Sequence, residues 1–269
     1  MADEQYDWAS LGIDTTKPSI ARTYDVVLRG KDNFEVDRAF VAEIVKIVPE
    51  IYDVAAYNRG VLGRGVRYLA GEAGLRQFLD LGSGLPTVQN THQVAQAVAP
   101  GARVVYVDND PIVLAHGRAL LAENADTTVI TADVREPAEI LAHEDVRRLI
   151  DFDRPVGVML VGILHHLHDD EDPQGVVDTL MDAVPSGSHL FVTSFCASSQ
   201  EAVDAEKQYQ GLLGTGRFRT PEEITRYFDG LELLDPGVVP LPLWRPDEDV
   251  PDELTVGQRL MYGGIARKP

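Results

Sequence analysis

The sequence predicts an α/β fold, a doubly wound and mostly parallel seven-stranded sheet with an antiparallel last strand and a helical N-terminal cap. Three observations predict it. From Arg76 onward, short apolar runs alternate with helical patterns, as expected for parallel strands joined by right-handed crossovers. The first run, Gln77 to Leu81, ends in the turn Gly82-Ser83-Gly84, with a helical pattern after it, which is how an α/β sheet approaches a nucleotide-like ligand. The last two strand-like runs have no helix between them, so the closing pair can be antiparallel.

Residues 1–13 are polar and acidic, with Tyr6, Trp8, Leu11 and Ile13 interspersed, and read as a loose arm pinned by Trp8. A helix starts near Pro18, placing Ile20, Tyr24, Val27 and Leu28 on one face and stopping at Gly30. Residues 29–34, Arg-Gly-Lys-Asp-Asn-Phe, read by themselves as a solvated turn in which Asp32 or Asn33 caps the next helix. That helix runs from about Val36 to Val48 and stops at Pro49. A third runs from about Ile51 to Leu69 and ends at Gly71. No linker separates these helices from the sheet, so 1–72 reads as arm and cap and 73–269 as the core of a single domain.

Strands are expected at 77–81, 103–108, 127–132, 156–161, 189–195, 231–239 and 258–267. Helices are expected at 88–98, 111–123, 137–150, 173–184, 199–213 and 221–228, the last opening on the capped start Thr220-Pro221-Glu222-Glu223. The stretch Leu243–Gln258, with Pro246 and Pro251, reads as a loop.

With 269 residues and 44% hydrophobic content, the chain can bury one large core. Its net charge of −19 argues against nucleic-acid binding and against an anionic membrane surface. The single cysteine, Cys196, fits a reducing cytoplasm. No apolar run is long enough to span a bilayer, and no basic–apolar signal segment opens the sequence. Oligomeric state is not legible.

The glycine turn narrows the ligand. A dinucleotide fingerprint needs a glycine three places after Gly84, where this chain has Thr87. This, and the closing strand pair, disfavour a nicotinamide-dependent oxidoreductase. Asp108 ends the second strand at the distance from Gly84 where an acid meets a ribose hydroxyl. Asp80, Asp108 and Asp133 all fall at strand C-termini, where open α/β sheets bind ligands, although each could instead cap a turn or the next helix.

Asp80-Leu-Gly-Ser-Gly84 resembles the first motif of class I S-adenosylmethionine-dependent methyltransferases. The resemblance implies that Gly82, Ser83 and Gly84 approach the methionine and ribose portion of S-adenosylmethionine, and that Asp80 serves its ammonium group. It further implies that Asp108 takes the ribose hydroxyls beside Asn109, and that Asp133 and Val134 meet the adenine. Leu85-Pro86 departs from the further glycine many relatives carry, which stiffens the turn. A narrower resemblance rests on three stretches: Ile20-Ala-Arg-Thr-Tyr-Asp-Val-Val-Leu-Arg-Gly-Lys-Asp-Asn-Phe34 with Asn58-Arg59, Phe78 to Thr87, and Val107-Asp-Asn-Asp-Pro111. These are similar to a bacterial family of S-adenosylmethionine-dependent methyltransferases formerly known as a domain of unknown function. It implies that Tyr24, Gly30, Lys31 and Asn33 join the cofactor pocket. It supplies no acceptor.

For the chemistry, Leu164-His-His-Leu-His-Asp-Asp170 follows the fourth strand, at the sheet end that faces donor and acceptor. His165 and His166 are the candidate bases, with packing or helix capping as the competing roles. A metal site built on His165, His168 and Asp169 lacks a second ligand group, and no metal is expected. Arg59 or Arg64 could meet the methionine carboxylate, and Tyr57 could line the site. Cys196 has no partnered base and reads as a packing residue. Trp244 shapes an acceptor pocket or covers the sheet edge. The expected activity is methyl transfer from S-adenosylmethionine to a small-molecule acceptor, the alternative being a non-catalytic S-adenosylmethionine-binding or sensor protein.

Overall fold

The computed structural model describes residues 12–86, 89–121 and 124–269. The arm residues Tyr6, Trp8 and Leu11, and the departure at Thr87, lie outside the described residues. Eight strands form one sheet: β1 (Gln77–Leu81), β2 (Arg103–Asp108), β3 (Thr127–Thr131), β4 (Gly157–Val161), β5 (His189–Phe195), β6 (Glu232–Leu233), β7 (Val239–Pro240) and β8 (Met261–Arg267). The order is β3-β2-β1-β4-β5-β8-β6, with β7 also pairing β8. Strands β1 to β5 are parallel, while β8 runs antiparallel to β5, β6 and β7.

The eighth strand is a correction to the seven expected. The run read as one strand over 231–239 is two short ones, because Asp235-Pro236-Gly237 interrupts it. Proline cannot donate to a ladder, and Gly237 takes a positive φ of 90°. The helix expected over 137–150 is likewise broken in two, at Pro137–Ala142 and Glu144–Leu149. His143 sits between them in extended backbone, its ring accepting the Asp145 N–H. The loop expected before β8 contains a short helix, Val256–Arg259, capped by Thr255.

Three helices precede the sheet: α1 (Ile20–Val27), α2 (Glu35–Ile47) and α3 (Ile51–Gly71). Ser19 caps α1 through the Arg22 N–H. The buried pair Arg22–Asp37, 2.8 Å apart, ties α1 to α2, and Arg22 also donates to the Asp14 and Lys17 carbonyls. The inward faces of α2 and α3 share one apolar core with Phe78, Met159, Phe191 and Ile265 of the sheet. Arg64, on α3, donates to the carbonyls of Trp244 and Leu241. Trp244 is fully buried and stacks on Phe191, its ring centroid 6.3 Å away, so it covers the sheet. A second apolar core fills the opposite face, around Leu79, Val105, Leu160 and Val192. Since β1 leads to β2 on one side and β4 lies on the other, the crevice at their C-terminal ends is the topological switch point, where such sheets take ligands.

Candidate active site

A cavity of about 530 Å3 opens at that switch point and runs beneath the cap. Its size suits a small-molecule site. Its floor is the ends of β1 and β2, and the turn at Gly82 to Gly84 is folded onto β2. The Gly82 and Ser83 N–H groups donate to the Val107 carbonyl, and Gly84 N–H donates to Asp108 Oδ2 at 2.8 Å. Gly82 has φ 69°, and an added Cβ would strike Ile163 at 2.5 Å, so only glycine fits there. At Gly84, also left-handed, a Cβ would meet nothing within 4 Å: the turn's second glycine borders open space.

Asp108 is tied from both sides, since its other oxygen accepts the Asp110 N–H at 2.9 Å. Burial raises its pKa from the ordinary carboxylate value, against the pull of those backbone N–H groups. Its remaining lone pairs are free to accept from a ligand hydroxyl. Asp80 accepts the Thr91 hydroxyl at 2.7 Å. Burial lifts its pKa to about 6, against the pull of Thr91 and Arg59. A carboxyl so desolvated favours a cationic partner. Arg59 lines the cavity and donates to the Gln89 carbonyl at 2.8 Å. Arg64 does not line it, being held by the loop carbonyls already described.

Asn109, Ala132 and Val134 line the wall beyond β2 and β3, whereas Asp133 is not part of the lining. Arg135 binds both Asp133 oxygens and bridges to Glu171 at 2.8 Å, which holds the Asp133 pKa low; Asn109 also donates to Asp133 at 3.3 Å. The loop at 29–34 differs from its expected role as well. Gly30, Lys31 and Asn33 stay off the cavity wall because buried Asp25 gathers the loop, accepting from the Asp32 N–H and the Asn33 amide at 2.9 and 2.8 Å. Tyr24 does line the cavity. Its hydroxyl accepts from Asn58, whose carbonyl oxygen takes the Thr193 hydroxyl at 2.8 Å, so the Tyr24 O–H proton stays available to a ligand. Tyr57 packs against the core away from the lining.

The far end of the cavity is apolar, with Phe40 and Ile44 of α2, Phe195, Tyr209 and Leu213 around His165 and His166. The histidines sit on a single 3-10 turn, Leu164–His166, just past β4. Buried Arg219 fixes that segment, donating to the Leu164 and Leu167 carbonyls and to Asp169. His168 points away, toward the Gly214 carbonyl. Burial pushes His166 down to about 3 and His165 far below its ordinary value, so both are neutral at physiological pH. Cys196 is buried and pushed up to about 12, an inert thiol.

Sequence reasoning missed Gly162-Ile163, Tyr209 and Phe40 as cavity residues. A glycine directly after a strand was the available signal for the first pair, and Gly162 does take φ 77°. Tyr209 opens a π turn that no periodicity announced.

A switch-point cavity on a sheet of this order, closed by the antiparallel β8, is the architecture of class I methyltransferases. A family model described as S-adenosyl methyltransferase matches residues 6–269, and the chain belongs to that family. It is an S-adenosylmethionine-dependent methyltransferase. It is similar to a candidate methyltransferase of Thermobifida fusca YX, 56% identical over 97% of this chain and 99% of that one, with a TM-score of 0.94. A duf574 family protein from Streptomyces avermitilis MA-4680 is 39% identical over 95% of this chain and 99% of that one, with a TM-score of 0.91. An O-methyltransferase family protein from Burkholderia thailandensis, 13% identical over 97% of this chain and 66% of that one, shares the fold with a TM-score of 0.52. No curated protein matches. Among the described residues no helix is long and apolar enough to cross a membrane.

Proposed function

We propose that the chain transfers the methyl group of S-adenosylmethionine to a small-molecule acceptor held at the apolar end of the cavity. The observation that carries this is the continuity of one cavity from Asp80, Asp108 and the glycine turn to His165 and His166 under the cap. The residues present suit the donor. Asp108 has spare lone pairs for two ribose hydroxyls, and desolvated Asp80 favours the ammonium group. Arg59 and the Tyr24 hydroxyl are the candidate partners of the carboxylate. Gly82, Ser83 and Gly84 bring backbone close to the ribose. Asn109 and Val134 flank the adenine slot. Asp133 meets the adenine amino group only if it turns from Arg135, while Gly30, Lys31 and Asn33 act through the cap, by way of Asp25.

The methyl donor supplies an already activated methyl on a positively charged sulfur. The protein's part is to hold an acceptor atom in line with it and keep water out. The cap, with Phe40 and Ile44, excludes water. The charge of −19 speaks against nucleic acid as acceptor, because phosphate recognition draws on clustered cations.

Asp108→Ala tests the assignment. It removes a bidentate charge-assisted pair, and calorimetry should show S-adenosylmethionine bound more than about tenfold more weakly. Unchanged affinity in a folded variant would remove Asp108 from the ribose site.

A further inference from the structure

The far end of the cavity carries a second message, about the acceptor. The acids lining the cavity among the described residues are Asp14, Asp80, Asp108 and Asp110, all in the segment before α1 or at the ends of β1 and β2. None belongs to the apolar end, so no carboxylate there among the described residues pairs with a cationic amine.

His165 is fixed in one tautomer. Its Nδ1 faces the backbone N–H of Phe195 at 3.3 Å and accepts from it. A ring nitrogen that accepts carries no proton, so neutral His165 holds its proton on Nε2. No hydrogen bond joins Nε2 to a protein group among the described residues, and the ring lines the cavity. The ring is wedged among Phe195, Phe218 and His166, with centroids 4.5, 6.2 and 4.2 Å away. The charged group facing it is the Arg219 guanidinium, which with His166 and burial opposes protonation. Nothing around His165 among the described residues stabilises an imidazolium, so the ring is an N–H donor and a poor proton sink. His166 offers no substitute: its Nδ1 is buried without a partner, and burial holds the ring neutral.

We propose that the methyl acceptor is a small molecule bearing an acidic hydroxyl, a phenol or enol, taken up as its oxyanion, and that the His165 Nε2–H donates to that oxygen. This rests on the reading that the apolar end of the cavity holds the acceptor. The balance then needs no base in the protein. The oxyanion's lone pair forms the bond to the methyl carbon, the carbon–sulfur bond breaks, and its electrons neutralise the sulfonium. The proton was lost to solvent before binding. Aliphatic alcohols, which do not ionise near neutral pH, are excluded by the same logic.

The test uses 4-nitrophenol, a phenol that titrates near neutral pH and absorbs at different wavelengths as phenol and phenolate. It is titrated into protein saturated with S-adenosylhomocysteine, and the bound probe's absorbance is followed against pH. The expected result is saturable binding with the bound probe's midpoint lowered by about half a pH unit or more, a preference of about threefold for phenolate. His165→Phe should abolish that preference while S-adenosylhomocysteine binding stays normal. His165→Gln, which keeps an N–H donor, should restore part of it. A midpoint unchanged or raised, a preference that survives His165→Phe, or no probe binding to a protein that binds S-adenosylhomocysteine normally would overturn the proposal. Failure to bind S-adenosylhomocysteine itself would instead remove the methyltransferase site on which it rests.

Discussion

Asp80 concentrates the tension between fold and function in one side chain. Burial lifts its pKa from 3.8 to about 6. The folded chain without ligand therefore binds this proton more tightly than the unfolded chain does. Stability from this group falls as pH rises from about 4 to beyond 6, where the buried carboxylate must ionise. Once it is ionised, the cost to the folded state is up to ~3 kcal/mol. Asp80→Asn removes that cost and can still accept from Thr91. The ligand-free variant should melt at a higher temperature than the wild type at pH 7.5, yet bind S-adenosylmethionine more weakly. Wild-type affinity should also decline as pH drops below about 6, and the variant's should not. Equal affinities at pH 7.5 would release Asp80 from the ammonium group. Not all of this residue chemistry was legible in the sequence. The carboxylates at 80 and 108 could be placed, because a strand end and a glycine turn fix where they point. The engagement of Asp133 by Arg135 and of Asn33 by Asp25 could not, because each depends on side-chain geometry that no spacing encodes. His165 and His166 could be placed just past the fourth strand, but the His165 tautomer follows from the Phe195 N–H and the depressed basicity of both rings from burial.

Among the elements, α3 connects the cap to the sheet. Its glycines would be poor choices for an isolated helix. Gly65 has a packing reason: an added Cβ would lie 2.5 Å from the Phe191 ring on β5, which is itself stacked on Trp244. Gly65→Ala should therefore destabilise the protein by about 1–3 kcal/mol, despite alanine's better helix propensity. Thermal unfolding measures this, and a variant as stable as the wild type would show that α3 has room to shift. The boundaries of α2 and of β1, β2 and β5 were readable because apolar periodicity and breakers agree there. The split between β6 and β7 was not, since Leu234 and Val238 keep an apolar pattern across the Asp235-Pro236-Gly237 turn. The helix at Val256–Arg259 was hidden in the same way, four residues being too few for a period to register.

For the molecule as a whole, the fold class, the mostly parallel order and the antiparallel close were all legible, because crossover length dictates strand direction. The closure of the cap over the switch point was readable only as a helical segment lacking a linker. Its consequence, one cavity running from the strand ends to His165 and His166, comes from the buried Arg22–Asp37 pair and the shared apolar core that hold α1 to α3 against the sheet. We place S-adenosylmethionine in this cavity. Calorimetric titration with S-adenosylmethionine, S-adenosylhomocysteine and NAD in parallel tests it most directly. Saturable binding of the two adenosyl ligands, with no heat from NAD, is the predicted result. A folded protein that binds neither adenosyl ligand would contradict it and leave Gly82 to Gly84 as a turn that only shapes the sheet.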